Sequence, residues 1–314
     1  MAKLGFVIDP LPTLKVEHDS SIGMIAASLT LQHEVFCFES KDVFIRDAAA
    51  YAHMQPIEAC NLDTTPWYQP APGLTLPLHH LNAIIVRKDP PFNMDYVFMT
   101  YFLERAQQKG VYVTNPPKAL RDFNEKLVIF NFPECIPPTL VASNKLELEA
   151  FWHKHKEIIL KPLDGMGGAQ IFHISAEDPN FSVAYEILTK HGQRPVMAQR
   201  YLPEIRAGDR RIILIYGEPL AQVVVRLPKT GEARANIAAG GSFVLEALSQ
   251  QDQALCAAIK PFLLREQISL AGLDIIGNYI TELNITSPTM LREVSIALQR
   301  DVCLDYIEQL TAHL

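Results

Sequence analysis

The chain has 314 residues, 48% of them apolar and 20% charged, and a formal net charge of −7. That length and balance fit a folded protein of roughly two domains, and the acidic excess argues against nucleic acid as the main partner. No apolar run reaches the ~20 residues of a membrane helix. The opening "MAKLGFVIDP" carries no signal-peptide pattern, and five scattered cysteines without a Cys-x-x-Cys pair exclude a zinc knuckle and suit a reducing cytoplasm.

"KLGFVID" (3–9) reads as a short buried strand stopped by Asp9-Pro10. "DSSIGMIAASLTL" (19–31) opens with N-cap types, Ser20 and Ser21 among them, and continues as a helix. "HEVFCFES" (33–40) follows as a strand, so the start is an α/β layer with parallel strands. Residues 40–80 predict hairpins and loops. "NAIIVRKDPPF" (82–92) is a strand whose end presents Arg87-Lys88-Asp89, because the prolines cannot extend it. Loops at such strand ends are where open α/β sheets bind ligands. A helix over 95–110, a strand over 111–117 and a helical stretch over 118–132 come next. From 139 to 202 the pattern is strand, helix, strand, glycine loop, strand, helix, strand. "RRIILIYGEPLAQVVVRLP" (210–228) reads as two strands about a Gly-Glu-Pro turn, and "LDIIGNYITELN" (273–284) as a hairpin turning at Gly277-Asn278. The tail, 291–310, reads as helix.

"IILKPLDGMGGAQIFHIS" (158–175) invites three readings. A dinucleotide fingerprint needs G-x-G-x-x-G opening a helix, but strand-like residues follow here. A P-loop places its lysine after the glycines, whereas Lys161 precedes them. A hairpin whose glycine amides close over a phosphate remains, with Lys161 adding a charge. A plain glycine hairpin fits these residues equally well.

A triphosphate requires a divalent cation held by oxygen donors. The hairpin over 273–284 offers Asp274, Glu282 and Asn284. Glu282 and Asn284 are two apart and share a strand face, and Asp274 can lie opposite them. Such groups on an otherwise apolar hairpin are costly unless paired. A surface hairpin with polar alternation is the competing reading.

This order of lysine, glycine loop and Asp…Glu-x-Asn resembles the ATP-grasp superfamily of carboxylate–amine ligases. "VRKDPPF", "LRDFNEKL", "ILKPLDGMGGAQIF", "MAQRYLP", "NIAAGG", "GLDIIG" and "TELNITSPTMLRE" look like the bacterial glutathione synthetase family, and the similarity spans nearly the whole chain. The resemblance implies an N-terminal α/β domain with a parallel sheet (1–122). An ATP-grasp fold of two α+β subdomains would follow, 123–202 with the glycine loop and 203–314 with the metal site and lid. It implies ATP and Mg²⁺ or Mn²⁺, as two ions, with γ-glutamylcysteine and glycine as substrates. A homo-oligomer, a tetramer, is a family expectation.

The resemblance also assigns roles. Lys126 and Lys161 would contact the ATP phosphates under the loop Gly165, Met166, Gly167 and Gly168. The backbone of Gln199, Arg200, Tyr201 and Leu202 would hold adenine, and Asp209 the ribose. Arg211 would neutralise the transferred phosphoryl group. Asp274, Glu282 and Asn284 would hold the metal ions. Arg87 and Arg292 would hold peptide carboxylates, and Arg226, Arg234 and Asn236 would flank a mobile lid. The chemistry agrees: ATP converts a carboxylate to an acyl phosphate, an amine attacks it, and a lid must exclude water. Five arginines, at 87, 211, 226, 234 and 292, let an acidic chain hold polyanions.

One departure is Ser242-Phe243 after "AAGG", where the family continues with arginine and a small residue; it affects substrate contacts at the lid's end. His79-His80 and His153-x-His155 have no acidic or cysteine partner at ligand spacing and read as surface or packing residues. The cysteines read as buried small residues. Rival readings are an ATP-grasp ligase for another amino acid or peptide, a non-catalytic ATP-binding regulatory protein, and a scaffold protein. "RKDPPF" and "NITSPTMLRE" speak against the first, the intact set Lys126, Lys161, Asp274, Glu282 and Asn284 against the second, and the polar hairpin against the third.

Overall fold

The computed structural model describes residues 1–165, 167–228 and 242–314. Met166, Arg234 and Asn236 lie outside the described residues. In chain order, the first unit runs β1 (Lys3–Val7), α1 (Ser20–Thr30), β2 (Glu34–Phe38), β3 (Val43–Arg46), β4 (Ala49–Cys60), β5 (Tyr68–Pro70), β6 (Leu74–Pro77), β7 (Ala83–Val86), α2 (Met94–Gln107), β8 (Tyr112–Thr114) and α3 (Pro117–Asp122). β1 pairs in parallel with β2 and β7, and β7 with β8. Residues 40–80 form antiparallel hairpins around β4.

Strand alternation sets the layers. Leu4, Phe6, Ala83 and Ile85 share a core with Ile22, Met24 and Ile25 of α1. Val7, Ile84 and Val86 face the other way, onto Tyr96, Met99 and Leu103 of α2.

A second sheet, in the order β11-β10-β12-β9, is built from β9 (Thr139–Ala142), α4 (Lys145–His155), β10 (Ile158–Pro162), β11 (Phe172–Ile174), α5 (Phe181–Thr189) and β12 (Val196–Arg200). A third has the order β16-β15-β13-β17-β18. It comprises β13 (Asp209–Ile215), β14 (Glu218–Pro219), β15 (Gln222–Leu227), β16 (Ser242–Ala247), α6 (Gln250–Arg265), β17 (Leu270–Ile276) and β18 (Tyr279–Asn284), with β14 paired to β13. Ile212, Leu214, Leu273 and Ile275 cover α6. Ile213, Ile215 and Leu270 join the α1-side core of the first unit. The chain ends with α7 (Leu291–Leu298) and α8 (Val302–Thr311), and Leu291, Val294, Tyr306 and Ile307 return to that same core.

Three local expectations change. The helical stretch over 118–132 breaks after Asp122, because Asn124 Oδ1 accepts from Lys126 N at 3.0 Å and Leu127 N at 3.1 Å. An asparagine that captures nearby amides ends a helix. The tail is two helices, with Gln299 left-handed (φ 50°) and Asp301 capping α8 through Leu304 N at 3.1 Å. The N-cap of α1 is Asp19, which accepts from Ser21 N at 2.6 Å, so Ser20 and Ser21 lie inside the helix.

Candidate active site

A cleft opens between the second and third sheets. Strand alternation explains which side chains reach it. On β10, Ile158 and Leu160 fill the core of the second sheet, so Ile159 and Lys161 face the cleft. On β13, Arg210 turns toward α6, where it pairs with Asp252, leaving Asp209 and Arg211 on the opposite face. Gln199, Arg200, Tyr201 and Leu202 line the cleft at the end of β12, and Ile205, Ile276 and Pro137 supply apolar walls.

The hairpin β17–β18 needs one irregularity to present its acids. Asp274 pairs directly with Glu282, but the next pair is Ile275 with Ile280, so Thr281 is an extra, bulged residue. In a regular strand Ile280 and Glu282 would share a face. The bulge lets Ile280 enter the α6 core while Glu282 faces the cleft. The carbonyl of Thr281 accepts from Lys161 Nζ at 3.3 Å.

Charges are densely paired here. Lys126 Nζ donates to Glu282 Oε1 and to the Gly165 carbonyl, both at 2.7 Å. Arg211 grips Asp274 at two points, Nε on Oδ1 and a terminal nitrogen on Oδ2 at 2.8 Å. Arg226 bridges Asp274 Oδ2 at 3.0 Å and Asp209. Asn284 Nδ2 donates to Asp274 Oδ2 at 3.2 Å and to the Gly272 carbonyl at 3.3 Å.

Burial raises the Asp274 carboxyl, but Arg211 and Arg226 outweigh it and hold the group below the usual carboxylate range. Burial also raises Glu282, and Lys126 and Lys161 outweigh it, for a net lowering. Burial lowers Lys126, but Glu282 and Glu125 reverse that, so it stays charged. Lys161 is lowered to about 8 by burial, with Glu282 pulling the other way. Burial raises Asp209 to about 6 despite Arg226. Among the described residues, Asp209 Oδ1, Arg226 Nε and Arg200 Nε are buried without a hydrogen-bond partner. Unsatisfied buried polar atoms call for an explanation, and an absent polar ligand is one.

A second locus lies at the start of α1. Arg87, 3% exposed, donates from Nε to Ser21 Oγ at 3.1 Å. The stem of Arg292 packs beside Gly23, where an added Cβ would lie 3.1 Å from Arg292 Cγ. Each guanidinium keeps one buried terminal nitrogen without a partner among the described residues. Two part-free guanidiniums suit carboxylate ligands. The chain from Asn284 to Arg292 joins the two loci, and Ser287 Oγ donates to the Arg87 carbonyl at 3.4 Å.

Family models describing the N-terminal and ATP-grasp domains of prokaryotic glutathione synthetase match residues 2–121 and 125–299. The chain is 42% identical over 312 residues to the glutathione synthetase of Pseudomonas aeruginosa, covering 99% of this chain and 98% of that one. It belongs to the prokaryotic glutathione synthetase family. The glutathione synthetase of Escherichia coli K12 is 43% identical over 294 residues, covering 94% of this chain and 93% of its own. Among solved structures, the D-cycloserine synthetase DcsG aligns with a TM-score of 0.69 at 13% identity over 99% of both chains, a likeness of fold.

In this member of the family, Lys126, Lys161, Gly165, Gly167, Gly168, Gln199, Arg200, Tyr201, Leu202, Asp209, Asp274 and Glu282 line one cleft. Arg211, Arg226 and Asn284 join it through Asp274, while Arg87 and Arg292 form the separate locus. Sequence reasoning missed Thr281, because a bulge has no simple residue signature. It also missed Glu125, which stands in the quoted "LRDFNEKL" beside Lys126.

Proposed function

We propose that the chain catalyses ATP + γ-glutamylcysteine + glycine → glutathione + ADP + phosphate. The cysteinyl carboxylate attacks the γ-phosphorus, ADP leaves, and the glycine amine displaces phosphate from the acyl carbon. The observation that carries this reading is a cleft holding two buried lysines, a glycine loop and the Asp274–Glu282 pair, in a chain 42% identical to a glutathione synthetase along its length.

Lys126 and Lys161 supply positive charge where the phosphates would lie. Gly165, Gly167 and Gly168 form the loop over them, and Gln199 to Leu202 the adenine edge. Asp209 Oδ1, buried and unpartnered among the described residues, is the acceptor for a ribose hydroxyl. Arg87 and Arg292 hold substrate carboxylates; Asn236 as a further substrate residue and Arg234 as a catalytic one belong to the same reading and lie outside the described residues. Arg211 and Arg226 turn from Asp274 toward the transferred phosphoryl group as charge builds there.

The family uses ATP and a divalent metal. The donors proposed here are the Asp274 and Glu282 carboxylates with the Asn284 side chain beside them, whose Nδ2 meets Asp274 Oδ2 in this structure. Among the described residues no group of three His, Cys, Asp or Glu could hold a metal by itself. An all-oxygen, sparse set fits Mg²⁺ or Mn²⁺ completed by phosphate and water, as two ions. Such a cation neutralises the β- and γ-phosphates when bound. The domain division 1–122, 123–202 and 203–314 belongs to the same reading. So do a cytoplasmic location and a homo-oligomer, a tetramer. Among the described residues no helix is long and apolar enough to cross a membrane.

The test is phosphate release with ATP, Mg²⁺ and γ-glutamylcysteine, with and without glycine. Glycine-dependent turnover and a product of glutathione mass support the reading. Turnover that ignores glycine, or none at all, rejects it.

A further inference from the structure

The segment between the first sheet and Lys126 does more than connect domains. It holds the exit of the metal-hairpin strand from two sides. Glu125 Oε1 accepts from Ile285 N and Thr286 N, each at 2.9 Å, and from Thr286 Oγ1 at 2.7 Å. Asn115, 4% exposed, donates from Nδ2 to the carbonyls of Leu270 and Ile285, both at 2.7 Å. Its Oδ1 accepts from Ser269 N at 2.9 Å and Leu270 N at 3.2 Å. Thus the amide of Ile285 is held by Glu125 and its carbonyl by Asn115.

The location matters more than the number of bonds. Leu270 begins β17, and Ile285 follows the last residue of β18, so Asn115 closes the open end of the hairpin that carries Asp274, Glu282 and Asn284. Ile285 adjoins Asn284 on one side and, through Ser287, the Arg87 backbone on the other. The Leu283 amide also donates to the Glu125 carbonyl at 3.0 Å, so the edge of β18 is gripped on both sides of Asn284.

We propose that Asn115 and Glu125 are positioning residues that clamp Ile285 and so fix the distance between the phosphate end of the ATP cleft and the carboxylate-holding arginines. The inference rests on the ligase reading above. In-line transfer from the γ-phosphate to a peptide carboxylate requires the two loci to hold one spacing, and a misplacement of about 1 Å can cost ~100-fold in rate. Arg87 stands past the end of β7 in the first unit, and the segment from Asn284 to Arg292 carries the chain from the hairpin past Arg87 to the second arginine. Clamping it at its first residue fixes where it starts.

The test compares Glu125→Ala, Glu125→Gln and Asn115→Ala. Gln keeps an oxygen for the Ile285 and Thr286 donors, and Ala does not. Sites are counted by binding of a non-hydrolysable ATP analogue, so a loss of folded protein does not masquerade as a loss of rate. For both alanine variants the expectation is a kcat per binding site at least ~10-fold lower, with KM for ATP within about threefold, and Glu125→Gln recovers most of the rate. A second readout needs no turnover: amide hydrogen exchange across 281–290 rises in Glu125→Ala and not in Glu125→Gln. If Glu125→Ala does not fold, Thr286→Ala, which removes only the hydroxyl's bond, is expected to raise the same exchange.

Unchanged kcat per site in the alanine variants, or a Gln variant as impaired as Ala, overturns the clamp. So does unchanged exchange in Glu125→Ala, or in Thr286→Ala if that variant takes its place. Failure of the wild type to turn over with glycine instead overturns the ligase reading, and the exchange result then still decides the clamp.

Discussion

Arg211 and Asp274 face each other across β13 and β17 as register partners, and the guanidinium spans both carboxylate oxygens. Both are almost fully buried, at 6% and 4% exposure, and Arg226 shares the same carboxylate. A buried pair is weak evidence of net stability, because two charges lose their water. Removing one partner is different. Asp274→Ala leaves two buried guanidiniums facing each other, and urea unfolding is expected to show a loss of about 3–5 kcal/mol. A change under ~1 kcal/mol would mean water or Asp209 already carries the charge. Because Asp274 is held below its ordinary range when folded, its stabilising contribution is full at neutral pH. It fades as pH falls from the ordinary carboxylate range toward that depressed value.

Lys161 gives a pH signature. Burial lowers it to about 8 from 10.5, so it loses its charge near pH 8 in the folded, nucleotide-free chain. A neutral lysine attracts phosphate less, so KM for ATP is expected to rise above about pH 8. Stability moves the other way. Between about 8 and 10.5 the unfolded chain holds a proton that the folded one has lost, so this residue's contribution to folding rises with pH. Lys161→Met should flatten both trends. A KM profile in Lys161→Met that still rises at the wild-type pH would assign the titration to another group.

Glu282 and Lys126 meet at 2.7 Å, with the Glu282 side chain 22% exposed. Glu282→Gln removes one of the two acidic donors but keeps the side chain's shape. Electron paramagnetic resonance of Mn²⁺ with a non-hydrolysable ATP analogue should show at least ~10-fold weaker metal binding, because the acidic donors dominate the affinity of such a site. The melting temperature should fall as well, by a few degrees, since Gln leaves the buried Lys126 ammonium without its charge partner. Chelating the metal from the wild type should abolish turnover reversibly, with added Mg²⁺ restoring it. Unaltered Mn²⁺ binding in Glu282→Gln would remove Glu282 from the metal set.

The main lines of this site are local in the sequence. Alternation on β10 places Lys161 beside Ile159, and the period-2 spacing of Glu282 and Asn284 gives their common face. What stayed hidden depends on contacts between distant segments. The placing of Ile280 in the core and Glu282 in the cleft needs the bulge at Thr281, and nothing in "YITELN" announces one. Asn124 looks like an ordinary residue of a helical run, yet its side chain captures the Lys126 and Leu127 amides and ends α3 early. That turn carries Glu125 to Ile285, 160 residues away. The return of α7 and α8 to the first unit was equally invisible, because an apolar helix face does not say which core it covers.

The glycines separate a functional backbone from a structural one. Gly167 and Gly168 have φ of 63° and 79°, a left-handed pair that side chains disfavour by roughly 1–2 kcal/mol each. Both line the cleft. Gly208 has φ 119°, and an added Cβ would lie 2.4 Å from Val225 Cγ1 and 3.1 Å from the Arg226 carbonyl, inside packed structure. Gly168→Val is therefore expected to raise KM for ATP ~10-fold or more while the melting temperature falls by only a few degrees. Gly208→Ala should do the reverse, with a large loss of melting temperature and a KM set by whatever protein remains folded. Calorimetry and initial rates on the two variants decide it. If Gly168→Val unfolds the chain as readily as Gly208→Ala, the loop over the cleft is a structural hairpin and its phosphate role falls.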